Sequence, residues 1–177
     1  NLYGVDDWLN KLRTYDATPY TEATVLLNMQ ALAHRLNKLQ ENGYTIGIIS
    51  WLSKESTTAY DKAVAEAKMA WLNKHLNSVK WDEIHLVAYG KKKHKLAQVK
   101  GGYLFDDNES IRREWIKNNP EGWAFSECAI LEVLDLLNWK KDMRSVQPHI
   151  QIDLDVIRLS PILLFSKNYW QIDINMI

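Results

Sequence analysis

The sequence predicts an α/β fold with a doubly wound, mostly parallel sheet. Four short apolar runs, at residues 44–49, 84–88, 102–105 and 122–125, have the length and composition of buried strands. Longer stretches lie between most of them, with apolar residues at steps of three or four, the period of a helix. Strands that alternate with helices favour parallel pairing, because a parallel connection needs a crossover of a dozen residues or more.

A stripe of apolar residues at helical spacing predicts the first long helix from about Asn28: Met29, Leu32, Leu36 and Leu39. The pair Asn42-Gly43 ends this helix, since glycine tolerates the left-handed conformation of a helix C-terminus. The run at 44–49 that follows is rich in β-branched residues and predicts a strand buried on both faces.

After this strand, Ser56 or Thr57 is predicted to cap a long helix with an apolar stripe: Tyr60, Val64, Ala67 and Trp71. Two further helices are predicted at residues 110–117 and 128–137. The only cysteine, Cys128, lies at the start of the second of these helices, and we expect it to be a small buried hydrophobic residue.

The two ends of the chain differ from this pattern. Residues 1–27 are predicted to be irregular, with a short helix at 6–12 and a turn at Pro19. From about Trp139 the chain is apolar and extended in character, without the helix that should separate parallel strands. We therefore divide the chain into a segment 1–27, a core 28–138 and a C-terminal extension 139–177 of uncertain role.

The composition excludes several classes of protein. Lys+Arg and Asp+Glu both number 22 in 177 residues, so no net charge favours a nucleic acid polymer or an anionic membrane as partner. One cysteine excludes an internal disulfide framework. The apolar run at 161–165 is far shorter than the roughly 20 residues that span a bilayer. A cytoplasmic protein is the expectation, and its oligomeric state is open.

Polar residues follow the predicted strands in an order that suits phosphate chemistry. Ser50 ends the first strand, and Asp106-Asp107 ends the third. Between them lies a lysine-rich turn from which we choose Lys93 as the phosphate-binding ammonium, with Lys91, Lys92 and Lys95 as alternatives. Carboxylate oxygens are the ligands that Mg²⁺ prefers, and active groups of parallel sheets lie at the carboxyl ends of strands. Taken alone, the Asp-Asp pair also suits the start of the next helix.

The order of serine, lysine and paired aspartates resembles motifs II, III and IV of the haloacid dehalogenase-like (HAD) phosphohydrolases. Residues 1–137 are similar to small phage and bacterial members grouped with the 5′(3′)-deoxyribonucleotidases, through three strings: Asn1-Leu2-Tyr3-Gly4-Val5, Ile48-Ile49-Ser50-Trp51-Leu52 and Leu104-Phe105-Asp106-Asp107-Asn108. The resemblance implies a Rossmann-like core with a minimal helical cap at 1–27. It also implies Mg²⁺-dependent hydrolysis of a small phosphate monoester, such as a nucleotide, through an aspartyl-phosphate. Ser50 and Lys93 would be catalytic, and Asp106 and Asp107 would bind the metal.

The family's motif I, an Asp-x-Asp-x-Thr strand with the nucleophile, is missing upstream of these motifs. The expectation is an N-terminally truncated, inactive fragment whose sheet lacks its central strand. An alternative source of the carboxylates is Asp153-Leu154-Asp155, which follows an apolar strand. A circular permutation would place Asp153 and Asp155 in the central position, although Val156-Ile157 stands where the family has Gly-Thr. The simpler interpretation of this segment is an edge strand with solvent-facing acids.

Two functions are therefore open. The first is a HAD-type phosphatase, and the second is a non-catalytic protein that binds phosphate or nucleotides with the same residues. Trp51, next to Ser50, is expected to pack in the core or to line a substrate pocket.

Overall fold

The computed structural model describes residues 5–54, 56–97, 101–139, 149–153 and 158–159. Its strands are β1 (Thr24–Val25), β2 (Thr45–Trp51), β3 (Glu83–Val87), β4 (Tyr103–Phe105), β5 (Trp123–Phe125), β6 (His149–Ile152) and β7 (Arg158–Leu159). Five of them form one sheet in the order β3-β2-β6-β4-β5, and every pairing in that sheet is parallel. β1 and β7 form a separate antiparallel pair. The predicted α/β fold with a parallel sheet is confirmed.

The helices are α1 (Val5–Arg13), α2 (Thr18–Thr21), α3 (Met29–Glu41), α4 (Thr58–His75), α5 (Glu109–Asn118) and α6 (Ile130–Trp139). The caps explain where the longer ones begin. The side chains of Asn28, Thr57 and Asn108 accept hydrogen bonds from the first-turn backbone N–H groups of α3, α4 and α5, at 3.0, 3.2 and 2.9 Å. Thr57 is one of the two residues predicted for this role, and α3 and α4 begin where the sequence places them.

The main core joins one face of the sheet to three helices. Leu32, Leu36 and Leu39 of the predicted α3 stripe are fully buried against Ile46 and Ile48 of β2. The same cluster takes in residues of α4 and α6: Trp71, Leu72, Ile130, Leu134 and Leu137. The apolar face of α3, with residues every three or four positions, thus packs on one face of β2, where every second residue points to the same side.

The predicted vacancy at the centre of the sheet is wrong, and so is the predicted edge strand near the C-terminus. β6 lies between β2 and β4, with Ile150 opposite both Ile46 and Tyr103, and Ile152 opposite both Ile48 and Phe105. Ile150 and Ile152 are fully buried. A vacant position would leave the N–H and C=O groups of two buried strands without partners, and β6 supplies those partners.

Gly47 makes room for β6 on the opposite face of the sheet. It lies opposite both Gln151 of β6 and Glu83 of β3. The Gln151 Nε2 donates a hydrogen bond to Glu83 across the glycine, and a Cβ at Gly47 would lie 2.6 Å from that nitrogen. Only a residue without a side chain allows this buried contact between the outer and central strands.

Cys128 departs from its predicted burial. It lies in a 3₁₀ turn at Glu127–Ala129, before α6 begins, and its side chain is exposed. The buried face of α6 consists of Ile130, Leu134 and Leu137 and does not include Cys128.

Among the described residues, no helix has the length and apolar character needed to cross a membrane.

Candidate active site

Three neighbouring strands of the sheet end in polar residues at the same edge. Ser50 lies at the end of β2, Asp106 directly follows β4, and Asp153 directly follows β6. Because all three strands run in the same direction, their carboxyl ends meet, and all three residues are buried. The backbone N–H of Asp153 also donates to the carbonyl oxygen of Phe105 at 2.8 Å, which ties the ends of β6 and β4 together.

Lys93 joins the two aspartates. It begins the 3₁₀ turn Lys93–Lys95 between β3 and β4, and its side chain is 2% exposed. Its Nζ donates to Asp106 Oδ2 at 2.7 Å and also to Asp153 Oδ2. The alternatives Lys91, Lys92 and Lys95 are exposed, and Lys92 pairs with Glu114 at 2.8 Å. Of the lysines in the turn, Lys93 is the one that the fold brings to the carboxylates.

Burial and neighbouring charges shift the pKa values of Asp106 and Lys93. Burial raises the pKa of Asp106 to about 6, and the charge of Asp153 adds to this effect, while Lys93 and the Asn108 N–H oppose it. For Lys93, burial disfavours the charged form, but the two carboxylates outweigh burial and hold its pKa above the ordinary value. One ammonium is therefore shared by two carboxylates that repel each other.

Hydrogen bonds between side chains and the backbone hold the loop after β4. Asp106 Oδ1 accepts a hydrogen bond from the N–H of Asn108 at 2.8 Å, and the Arg112 guanidinium donates to the carbonyl oxygens of Asp106 and Asp107 at 2.7 and 2.8 Å. Arg112 lies on α5, so this helix fixes where β4 ends. The alternative role for the aspartates as helix caps falls instead to Asn108.

Three carboxylates at this edge lie close enough together to hold a cation. One oxygen from each of Asp106, Asp107 and Asp153 lies within 4.8 Å of the others. Carboxylate oxygens are hard ligands, and a magnesium ion is usually held by one or two carboxylates plus water and substrate oxygens. The donor set consists of hard oxygen ligands, so it is compatible with a hard divalent cation.

Ser50 contacts a residue that the sequence analysis did not name. Its Oγ accepts a hydrogen bond from the Nζ of Lys68 at 2.8 Å, and the same Nζ donates to the carbonyl oxygen of Trp51 at 2.7 Å. Lys68 lies on α4, is 1% exposed, and was missed by the sequence reasoning. A signal was present: Lys68 follows Val64 by four residues and precedes Trp71 by three, which places a charged residue on the buried stripe of the helix.

A cavity of about 620 Å³ opens above the site. Four buried charged residues line it: Lys68, Lys93, Asp106 and Asp153. Five aromatic residues line it as well: Tyr15, Tyr20, Trp51, Tyr60 and Tyr89. The cavity is therefore lined by both buried charged residues and aromatic rings.

Trp51 both lines this cavity and holds the lysine turn. Its ring packs on Tyr89 with centroids 4.9 Å apart, and its Nε1 donates to the carbonyl oxygen of Lys91 at 2.8 Å. The Nζ of Lys93 lies 4.8 Å from the centre of the Trp51 ring, in the range of a cation–π interaction. The expectation that Trp51 lines a pocket is met, whereas Trp51 is half-buried and belongs to neither core cluster of the described residues.

The turn between α1 and α2 forms one wall of the cavity. Tyr15 has a φ of 57°, a left-handed conformation that is unusual for tyrosine, and its ring packs edge-on against Tyr60 at 5.3 Å. Hydrogen bonds from Lys11 and Thr18 lower the pKa of the neighbouring Asp16 to about 2. The Tyr60 hydroxyl donates to the Asp16 carbonyl oxygen at 3.1 Å, which fastens this wall to α4.

The sequence-predicted residues thus fall into three groups. Lys93, Asp106, Asp107 and Asp153 lie together, and Ser50 lies at the same edge in contact with Lys68. Asp155 lies outside the described residues.

Comparisons with protein families, with characterised proteins and with solved structures find no match to this chain.

Proposed function

We propose that this chain is a Mg²⁺-dependent phosphate monoester hydrolase of the HAD type, with Asp153 as its nucleophile. The observation that carries the proposal is the position of β6, which lies between β2 and β4 and brings Asp153 beside Asp106 and Lys93. The family's order of motifs would then be circularly permuted. The expectation of inactivity rested on the missing carboxylates of motif I, and Asp153, directly after β6, is the carboxylate that would take the place of the nucleophile.

In the proposed reaction, a carboxylate oxygen of Asp153 attacks the phosphorus atom in line with the leaving oxygen. A bond forms between that oxygen and phosphorus while the bond to the substrate alcohol breaks. The alcohol leaves with a proton, for which the resemblance assigns Asp155 as the donor. Water then hydrolyses the aspartyl-phosphate, releasing phosphate and restoring the carboxylate.

The remaining residues supply charge and position. Lys93 holds the carboxylates in place and offers positive charge to the equatorial oxygens of the phosphoryl group. Asp106, Asp107 and Asp153 would hold Mg²⁺, and its chemistry there would be to offset the repulsion between carboxylates and phosphate. The aromatic residues that line the cavity can stack on a planar leaving group. Within this class of substrate we therefore propose a nucleotide.

A direct test is hydrolysis of p-nitrophenyl phosphate with Mg²⁺ by the full chain and by Asp153→Asn. We expect turnover by the full chain and a loss of at least about a thousandfold in the variant, because the nucleophile is removed. Asp135→Asn, a change in an exposed residue of α6, is the control and should leave turnover unchanged. Equal turnover by Asp153→Asn would contradict the proposal.

A second candidate is a non-catalytic phosphate- or nucleotide-binding protein. The observation in its favour is that Lys93 already engages the oxygen atoms of both Asp106 and Asp153, which makes Asp153 a weaker nucleophile. This candidate predicts that inorganic phosphate or a nucleotide binds while no substrate turns over. Measurable turnover that depends on Asp153 would exclude it.

A further inference from the structure

The buried ammonium of Lys68 is a feature that neither the motifs nor the proposed reaction uses. Its side chain is 1% exposed on α4. Burying an ammonium is unfavourable unless neighbouring groups stabilise the charge. A charged residue on the buried face of a helix departs from the usual pattern, and such departures occur most often at functional sites. The question is what this charge does at the carboxyl end of β2.

Two hydrogen bonds fix the position of the ammonium. An ammonium has three N–H donors and no acceptor, so Ser50 Oγ must be the acceptor in the 2.8 Å contact. The second contact, to the carbonyl oxygen of Trp51 at 2.7 Å, comes from the next residue of the same strand. The Tyr20 ring, with its centre 5.4 Å from Nζ, lies against the charge from another direction.

The cavity is reached by Lys68 and not by Ser50. Lys68 is one of the described residues that line the cavity above the carboxylates, together with Lys93, Asp106 and Asp153. Ser50 is fully buried and is not among these described lining residues. Among the described residues, Lys68 thus connects Ser50 to the cavity lining.

We infer that Lys68 is an anion-contacting residue of the site, which binds an oxygen of the phosphoryl group, and that Ser50 is a positioning residue acting through it. This inference rests on the proposed function and changes one part of it, because the resemblance gives the phosphate contact to Ser50 itself. Lys68 and Lys93 then approach the phosphoryl group from α4 and from the lysine turn. Asp106, Asp107 and Asp153 remain the residues that would hold the metal.

The test is the affinity for inorganic phosphate, measured by calorimetry with Mg²⁺ on the full chain and on Lys68→Met. Methionine keeps the apolar stem and removes the charge. We expect phosphate affinity to fall by about tenfold or more, as for the loss of one charge-assisted hydrogen bond. Lys62→Met, a change in an exposed lysine of the same helix, is the matched control and should leave the affinity unchanged.

A second measurement separates this role from a purely structural one. The affinity for Mg²⁺ alone should be nearly unchanged in Lys68→Met, because the three aspartates are intact, whereas a collapsed site would lose phosphate and Mg²⁺ together. If Lys68→Met does not fold, Ser50→Ala serves in its place. Its phosphate affinity should fall, and by less than tenfold, since the Trp51 carbonyl still holds the ammonium.

The outcomes distinguish the two proposals. Hydrolysis that depends on Asp153, combined with unchanged phosphate affinity in Lys68→Met, would overturn the role of Lys68 and leave the proposed function in place. An unmodified chain that neither binds phosphate nor hydrolyses a monoester would overturn both.

Discussion

Replacing Asp106 by asparagine removes one of two buried carboxylates that share the Lys93 ammonium. The substitution keeps the size of the side chain and cannot ionise. Asp106 is fully buried, and its folded-state pKa lies at about 6 against a reference of 3.8. We therefore expect Asp106→Asn to change the stability of the protein in a way that depends on pH.

The size of the effect follows from this difference in pKa. A rise of about 2 units corresponds to about 3 kcal/mol of preference for the neutral form in the folded state. Because the folded pKa is the higher one, this contribution to stability is fully present below about pH 4 and is lost as the pH rises through about 6. The attraction to Lys93 is already included, since it opposes the rise.

The natural protein should thus lose up to about 3 kcal/mol of unfolding free energy between about pH 4 and pH 7 that the asparagine variant does not lose. Urea unfolding followed by tryptophan fluorescence, without divalent cations, measures the difference between the two proteins. The difference, variant minus natural protein, should grow with pH over this range. A difference that stays flat or shrinks would refute the proposed effect of burial and of the neighbouring Asp153. Asp135→Asn, in an exposed ion pair with Arg35, is the control and should change the free energy by no more than about 1 kcal/mol.

Two further substitutions test other parts of the structure. Lys93→Met leaves two buried carboxylates without their shared cation. We therefore expect the free energy of unfolding at neutral pH, measured with urea, to fall by about 3–5 kcal/mol, and the affinity for Mg²⁺, measured by calorimetry, to rise. An unchanged free energy of unfolding would contradict the ion-pair assignment. Gly47→Ala places a Cβ 2.6 Å from the Gln151 Nε2, so we expect thermal unfolding to show a destabilisation of about 1–3 kcal/mol. Unchanged stability would contradict the close approach of β6 to β2.

Much of the fold could be predicted because its signals are local. The stripe of α3, the cap Thr57 and the apolar run of β2 can each be recognised within a few neighbouring residues. The choice of Lys93 and of the aspartates after β4 followed from the same local reasoning, since residues that end parallel strands lie at one edge of the sheet.

The order of the strands could not be predicted in this way. β6 is separated from β2 by about a hundred residues, and its pairing depends on which buried strands have N–H and C=O groups left to satisfy. Gly47 in an apolar strand indicated a close approach of some neighbour, but not which one. Lys68 lay on a stripe that was interpreted as apolar, and its partners at the end of β2 became visible only when α4 was packed on the sheet.

The central claim is that Asp153 forms the covalent intermediate, and trapping that intermediate tests it most directly. The full chain would be mixed with Mg²⁺ and a phosphate monoester and quenched with acid, and the phosphorylated peptide would be identified by mass spectrometry. We predict one phosphoryl group on Asp153, and none in Asp153→Asn. A phosphoryl group on another residue, or turnover without any phosphorylated peptide, would contradict the assignment of Asp153 as the nucleophile.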